Sequence, residues 1–119
     1  MAQVRFIAAF LAGLATSGAF AHGFMERASP AAGSTVHGPP ASVQLWFSQP
    51  LEPAFSTLRV LDRNGKQVDR MDQRLDAGEP KLLRVSLPPL APGSYRVLWR
   101  ALSVDGHVTK GALSFVLAP

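Results

Sequence analysis

Short runs in which apolar and polar residues alternate recur along the chain after residue 22. Alternation with a period of two is typical of a β-strand that buries one of its faces. Glycine and proline separate these runs at short intervals, and no sustained helical repeat follows residue 22. The pattern predicts an all-β fold, a small antiparallel sandwich or barrel. The clearest predicted strands are residues 43–47, 58–61, 83–87, 95–102 and 112–117.

Turn chemistry supports the same interpretation. Asn64 and Gly65 follow the second of these runs, and Asn-Gly is a strong signal for a tight hairpin turn. Residues 69–80 are mostly polar, so we expect an exposed connection there. The aromatic residues inside the runs are expected to lie mainly in the core: Trp46, Phe47, Tyr95, Trp99 and Phe115.

Residues 1–21 have the features of a secretory signal peptide. They contain one charge, Arg5, then an apolar segment at residues 6–15, and they end in an Ala-x-Ala pattern at Ala19 and Ala21. A membrane anchor that stays attached is the alternative, but the apolar segment is short against the about 20 residues that a spanning helix needs. We predict a helical signal peptide cleaved after Ala21, export from the cytoplasm, and a single domain at residues 22–119.

Composition narrows the possible functions. Of the 12 basic residues only Arg5 precedes residue 22, so with 8 acidic residues the remaining domain carries a mild charge of +3. Its basic residues alternate with apolar ones along the predicted strands, which indicates a solvated face rather than a nucleic-acid-binding stripe. The chain has no cysteine, and therefore no thiolate nucleophile, no soft thiolate ligand and no disulfide.

Histidine and aspartate supply candidate metal ligands at the two ends of the domain. Asp105 and His107 form an Asp-x-His pair after the run at residues 95–102. On extended backbone, residues two apart point to the same side of the strand. Cleavage after Ala21 would make His22 the first residue, with an α-amine and a ring Nδ1 for one metal. Because the pKa of an α-amine is about 8, a metal can displace its proton at neutral pH.

The donor set favours one metal. An amine, two imidazoles and a carboxylate suit tetragonal Cu(II), whereas zinc prefers tetrahedral sites and Cu(I) prefers thioethers and thiolates, which are scarce here. The plain alternative is a polar hairpin turn, since Asp-Gly is a common turn dipeptide. His37 lies in a segment of turn composition and has no ligand spacing around it. We predict a Cu(II) site formed by His22, Asp105 and His107.

Four segments resemble the CopC-type periplasmic copper-binding proteins of bacterial copper resistance. They are the histidine that follows Ala-x-Ala, ASPAAGS at residues 28–34, VQLWFSQPL at residues 43–51, and GSYRVLWRALSVDGH at residues 93–107 followed by Gly111. The resemblance implies a Greek-key, immunoglobulin-like β-barrel or sandwich. It implies that His22 gives its amine and ring nitrogen to Cu(II), that His107 gives its ring, and that Asp105 gives a weaker oxygen.

The resemblance also implies a biological setting. We expect a monomeric periplasmic protein that buffers or carries Cu(II), without enzymatic activity, and with a CopD-like inner-membrane protein as the partner that takes copper. Some members of the family carry a methionine-rich loop with an added histidine for Cu(I). Residues 50–80 contain only Met71 and no histidine, so this chain resembles members that have the Cu(II) site alone.

Two other classes of function compete. An N-terminal histidine with a second histidine on a β-sandwich is also the copper arrangement of lytic polysaccharide monooxygenases. A domain this small leaves little area for a flat polysaccharide-binding face, and the anionic oxygen of Asp105 would oppose reduction of Cu(II). A β-sandwich interaction module without metal is the third class. Hydrolase and phosphate-binding signatures are absent from the sequence: neither G-x-S-x-G nor a phosphate-binding glycine loop occurs.

Overall fold

The computed structural model describes residues 24–119. The signal peptide, its cleavage point and His22 fall outside these residues and stay predictions. Within residues 24–119, no helix has the length and apolar character needed to cross a membrane. The described chain forms strands, apart from one turn of 3-10 helix at Pro53–Phe55. The strands are β1 (Met25–Ser29), β2 (Thr35–Val36), β3 (Ser42–Phe47), β4 (Thr57–Asp62), β5 (Arg74–Asp76), β6 (Glu79–Ser86), β7 (Gly93–Leu102) and β8 (Val108–Leu117).

Two four-stranded sheets form a sandwich. One has the order β1-β3-β6-β5 and the other β2-β8-β7-β4. Neighbouring strands run antiparallel, except that β2 lies parallel to β8. The chain crosses from one sheet to the other after β1, β2, β3, β4 and β6, which gives the sandwich Greek-key connections. The predicted all-β, immunoglobulin-like sandwich is confirmed.

The core lies between the sheets and follows the predicted alternation. In β3 every second side chain is buried, and the same is true through most of β7 and β8. Each predicted run overlaps a strand, with β8 beginning four residues earlier than expected. The buried apolar cluster consists of Val43, Leu45, Phe47, Leu51, Leu58, Val60, Leu83, Val85, Leu87, Tyr95, Val97, Ala101, Leu113, Phe115 and Leu117.

Aromatic side chains divide between the core and the surface. Phe47, Tyr95 and Phe115 are buried as expected, and the Tyr95 and Phe115 rings stack 5.5 Å apart. The Tyr95 hydroxyl donates a 2.5 Å hydrogen bond to the Ala91 carbonyl, and burial raises the pKa of this phenol. Trp46 is only half-buried, because it points away from the core and the Arg27 guanidinium lies 3.8 Å from its ring centre. The core expectation is therefore wrong for Trp46.

The Asn64-Gly65 turn is confirmed. The Asp62 amide donates to the Lys66 carbonyl at 2.8 Å, and the Gly65 amide donates to the Asp62 carbonyl at 3.0 Å. Gly65 has a φ of +82°, a conformation that glycine adopts without a steric penalty.

Most side chains of residues 69–80 are exposed, as expected, but the segment is more than a connection. This segment contains β5 and the start of β6, and Asp69 is only 8% exposed. The Asp69 carboxylate accepts hydrogen bonds from the Val60 and Met71 amides, each at 2.8 Å. Since β4 is an edge strand, Asp69 replaces the missing strand neighbour for Val60. The polarity of residues 69–80 could not reveal this role of Asp69, because the role depends on the Val60 amide, nine residues earlier in the chain.

Replacing Asp69 by alanine is expected to lower the free energy of unfolding by about 2–3 kcal/mol, because it leaves the buried Val60 amide without an acceptor. Chemical denaturation followed by circular dichroism measures this change. Glu52→Ala, which removes an exposed carboxylate, is the control and should change stability by no more than about 0.5 kcal/mol. Equal effects of the two substitutions would contradict an anchoring role for Asp69.

Candidate metal centre

The predicted ligands Asp105 and His107 lie in the loop that joins β7 to β8, residues 103–107. The Gly106 amide donates to the Ser103 carbonyl, and the Ser103 amide donates to the His107 carbonyl, each at 2.9 Å. These bonds close a tight turn, in which Gly106 has a φ of +92°. The expectation that extended backbone aligns the two side chains is therefore wrong, since a turn positions them.

The turn nevertheless brings the two side chains together. The Nδ1 atom of His107 lies 3.2 Å from Oδ1 of Asp105, with side chains 48% and 38% exposed. The carboxylate and the imidazole thus form an adjacent oxygen and nitrogen pair at an accessible loop tip. The two interpretations of this segment, a polar hairpin turn and a metal site, are compatible, because the turn brings the Asp105 carboxylate next to the His107 imidazole.

Ser103 stabilises the positions of Asp105 and His107 through hydrogen bonds. Its side chain is buried, its hydroxyl donates a hydrogen bond to Oδ1 of Asp105, and its oxygen accepts from the His107 amide at 3.3 Å. The Ser103 hydroxyl, and after it the hydrogen bond from His107, lowers the pKa of the Asp105 carboxyl. Asp105 is therefore anionic at neutral pH. Sequence reasoning did not assign Ser103 a role, although a serine two residues before Asp-Gly is a turn signal.

The loop is fastened to the segment that follows β3. The Val104 amide donates to the Pro50 carbonyl at 2.9 Å, and Leu51 forms an isolated bridge with Ser103. On the same segment, the Phe24 amide donates to Ser48 Oγ at 3.2 Å, and the Ser48 amide donates to the Phe24 carbonyl at 2.9 Å. The first described residue therefore lies at the same end of the sandwich as Asp105.

His37 lies at the other end of the molecule. It follows β2, which pairs with Val116 and Leu117 at the far end of β8. The ten residues of β8 separate that end from the loop that carries His107 by about 30 Å. His37 and His107 cannot share one ion. Within residues 24–119, no group of three or more histidine, cysteine, aspartate or glutamate side chains is placed to hold a metal.

Trp99 lies on the inner face of β7 and packs against the edge of the hydrophobic core. Gly111 is its direct partner on β8, and a Cβ atom at Gly111 would lie 2.5 Å from Cζ2 of the Trp99 indole. Glycine is therefore required for the indole to lie flat across β8. The described residues give the buried Trp99 Nε1 no hydrogen-bond partner.

Ser103→Ala in the copper-free protein is expected to raise the pKa of Asp105 toward its ordinary value. A folded-state pKa that is lowered contributes stability above the unfolded-state pKa, and that contribution disappears as the pH falls through the folded-state value. The variant should therefore be less stable than the parent at neutral pH, and the difference should narrow in acid. An NMR titration of the Asp105 carboxyl carbon measures the pKa. Thermal unfolding at neutral and at acidic pH measures the difference in stability. Ser114→Ala, an exposed serine on β8, is the control, and an unchanged Asp105 pKa would contradict the assignment.

Comparison with known proteins identifies the class to which this sandwich and loop belong. The model of a family described as the CopC domain matches residues 25–118, nearly the whole described chain. The chain belongs to the CopC family. Its fold is similar to that of CopC from Methylosinus trichosporium OB3b, with a TM-score of 0.76, 39% identity, and coverage of 82% of this chain and 95% of that one.

Two further relatives connect the chain to copper. PcoC, a methionine-rich copper resistance protein from Escherichia coli, matches with a TM-score of 0.72 and 30% identity, covering 82% of this chain and 99% of that one. The copper transport protein CutJ from Bacillus subtilis is 32% identical over 97 residues. That alignment covers 81% of this chain but spans only 18% of the length of CutJ.

Proposed function

We propose that this protein is a periplasmic Cu(II)-binding protein that buffers copper or carries it to a membrane partner, without catalysing a reaction. The observation that carries the proposal is the Asp105–His107 pair, an accessible carboxylate and imidazole whose atoms approach to 3.2 Å. The copper relatives of the CopC family support copper as the ion.

His22 completes the proposed site. Phe24 is held beside Ser48, and Pro50, two residues further along, holds the loop of Asp105 and His107. Only two residue steps separate His22 from Phe24, a span of at most about 7 Å. A tether of this length would allow His22 to reach the loop of Asp105 and His107. With cleavage after Ala21, its α-amine and ring nitrogen would join the His107 ring and the Asp105 carboxylate.

The chemistry of these donors favours Cu(II). Nitrogen donors and a carboxylate suit a tetragonal ion, and the divalent affinity order places copper above nickel and zinc. The lowered pKa of Asp105 supplies a fixed negative charge at neutral pH, which stabilises the more highly charged oxidation state. The same charge disfavours reduction to Cu(I), and it therefore supports a carrier rather than an oxidase.

One copper site is the expected number. The relative PcoC is described as methionine-rich, whereas this chain has three methionines, of which Met25 and Met71 lie in the described part. Met71 is 73% exposed and stands alone on its loop. A thioether site for Cu(I) needs several such donors together.

The exposure of His107 and the copper relatives support transfer of the ion to a partner. Since His107 lies at an exposed loop tip, an incoming ligand can approach the ion and displace the protein donors one at a time. In CutJ, a segment similar to this chain forms a small part of a longer copper transport protein. We infer that this chain serves the same kind of copper-transporting partner, in the periplasm to which the signal peptide would direct it.

The test is a Cu(II) titration of the secreted protein, with its N-terminus determined by mass spectrometry and the copper site characterised by electron paramagnetic resonance. We expect one tight, tetragonal, nitrogen-rich site on a chain that begins at His22, and loss of binding in acid because protons compete for the amine and imidazoles. Weak or multiple binding on that same chain would reject the proposal. Sustained peroxide production with ascorbate would instead favour an enzyme.

A further inference from the structure

A cluster of positive charge occupies the outer surface of the sheet β2-β8-β7-β4. Along its strands β4, β7 and β8, one set of alternate residues fills the core and the other set faces outward. We define the basic face by the four cations among these outward residues: Arg59, Arg96, Arg100 and Lys110. They are interleaved with Leu98 and Ala112 and with polar serine and threonine side chains.

Strand register places the four cations close together. Arg100 is the direct partner of Lys110, while Arg59 pairs with Leu98 and Arg96 pairs with Leu61. The four positions therefore span three neighbouring strands, about 10 Å across, and about 13 Å along the strands. Leu98 lies between the arginines at the centre of this area.

The described strands of this sheet place no carboxylate among these cations. The outward positions of β4, β7 and β8 carry no aspartate or glutamate. The opposite sheet differs, because there Arg84 pairs with Asp76 at 2.7 Å and Arg74 pairs with Asp72 at 3.1 Å. On the basic face, the Arg100 guanidinium donates a 3.4 Å hydrogen bond to the Phe55 carbonyl.

This arrangement is unfavourable for the isolated fold. Like charges directly opposite each other on neighbouring strands are destabilising, and Arg100 faces Lys110 in this way. The hydrophobic core lies on the other side of the sheet and gains nothing from these four residues. Local features that cost stability without a structural return are typical of functional surfaces.

We propose that the basic face is the docking surface for an acidic protein surface on the partner that receives copper, an inference that rests on the proposed function. Arginine guanidinium groups form two parallel hydrogen bonds to a carboxylate, so three arginines and a lysine match a cluster of glutamates and aspartates. The face continues directly into the loop, because Arg100 lies three residues before Ser103 and Lys110 lies three residues after His107. A partner seated there would reach the copper ligands.

The composition of the face favours a protein over a lipid surface. Protein interfaces are enriched in arginine and depleted in lysine, and they combine charge with apolar positions such as Leu98. The area is small for a permanent complex and suits a transient one, in which opposite charge accelerates encounter. The similarity to a segment of the longer transport protein CutJ also supports a protein neighbour for this domain.

The experiment uses the copper-free mature protein and a synthetic oligoglutamate peptide as the probe, measured by fluorescence anisotropy at two salt concentrations. R59E/R96E reverses two charges of the basic face at a distance from the loop. R70E/K81E makes the same change in net charge at exposed positions elsewhere. We expect salt-sensitive binding by the parent, a loss of about tenfold or more for R59E/R96E, and near-parental binding for R70E/K81E.

Equal losses in both variants would overturn the proposal, since net charge alone would then explain binding. A lipid-binding surface would also overturn the proposal. In that case the parent would not bind oligoglutamate but would bind phosphatidylglycerol vesicles, and R59E/R96E would lose the vesicle binding. Absence of binding to either probe would also overturn it. The Cu(II) titration of the same variants is separate: tight copper binding without docking rejects this inference and leaves the proposed function intact.

A second variant distinguishes a docking role from a structural one. Lys110→Glu converts the like-charge pair with Arg100 into an opposite-charge pair. Thermal unfolding should therefore occur about 2–5 °C higher, while oligoglutamate binding should fall severalfold. If Lys110 served only to stabilise the fold, Lys110→Glu would lower the unfolding temperature and oligoglutamate binding together.

Discussion

Replacing His107 by alanine will weaken Cu(II) binding by more than about a hundredfold. Substitutions that merely disturb the support around a metal cost about 10–100-fold, and His107→Ala removes a ligand of the proposed site itself. The loop backbone should survive, because the hydrogen bonds of Ser103 run to the His107 main chain rather than to its ring. A competition titration against a chelator of known affinity measures the loss.

His37→Ala is the matched control for His107→Ala. His37 is also an exposed histidine next to a strand end, but it lies at the opposite end of β8. Its removal should leave the affinity and the electron paramagnetic resonance spectrum unchanged. Parental affinity in the His107 variant, or equal losses in the two variants, would contradict the proposed ligand set.

Adding one alanine before His22 should cost a comparable factor in Cu(II) affinity. The extension leaves every side chain in place but converts the α-amine into an amide nitrogen, which does not bind copper at neutral pH in the same way. The amine and ring of one residue form a chelate, so losing the amine also loses the benefit of that ring closure. The electron paramagnetic resonance spectrum should change, because the new terminal amine lies one residue further from the His22 ring.

The control for the extension is the same protein after an aminopeptidase has removed the added alanine. Restored affinity would assign the loss to the amine rather than to a disturbed fold. If the extended protein has both the affinity and the spectrum of the parent, the α-amine of His22 is not a ligand and the copper site must be formed without it.

The sequence was most informative where side chains face the core. Residues 43–47 and 95–102 lie within β3 and β7 because burial of one face imposes strict alternation. β1, β2 and β5 were not predicted, because they lie at sheet edges and contain no fully buried side chain. Their pairing depends on backbone hydrogen bonds to distant strands, and a local pattern of hydrophobicity does not record those bonds.

The site was predictable in its residues but not in its geometry. Asp105 and His107 were identified from their spacing and from the CopC resemblance, and the structure brings them together. The reason given for their proximity was wrong, since the turn closed by Ser103 and Gly106 aligns them. The attachment of that turn to Pro50 was beyond sequence reasoning, because it joins residues that are more than fifty positions apart.

The edge strand β1 gives the proposed copper site a kinetic consequence. β1 contacts the protein through β3 alone within its sheet, and none of its side chains is fully buried. Weakly buried edge elements open most readily in the native state, and their amide hydrogens exchange first. Copper held between residue 22 and the β7–β8 loop would clamp the start of β1 to the opposite sheet, in a chain that has no cysteine for a disulfide. After release of copper, β1 would separate from β3 more often and expose the backbone edge of β3. The copper-free and copper-bound proteins would then differ in the population of this locally open state.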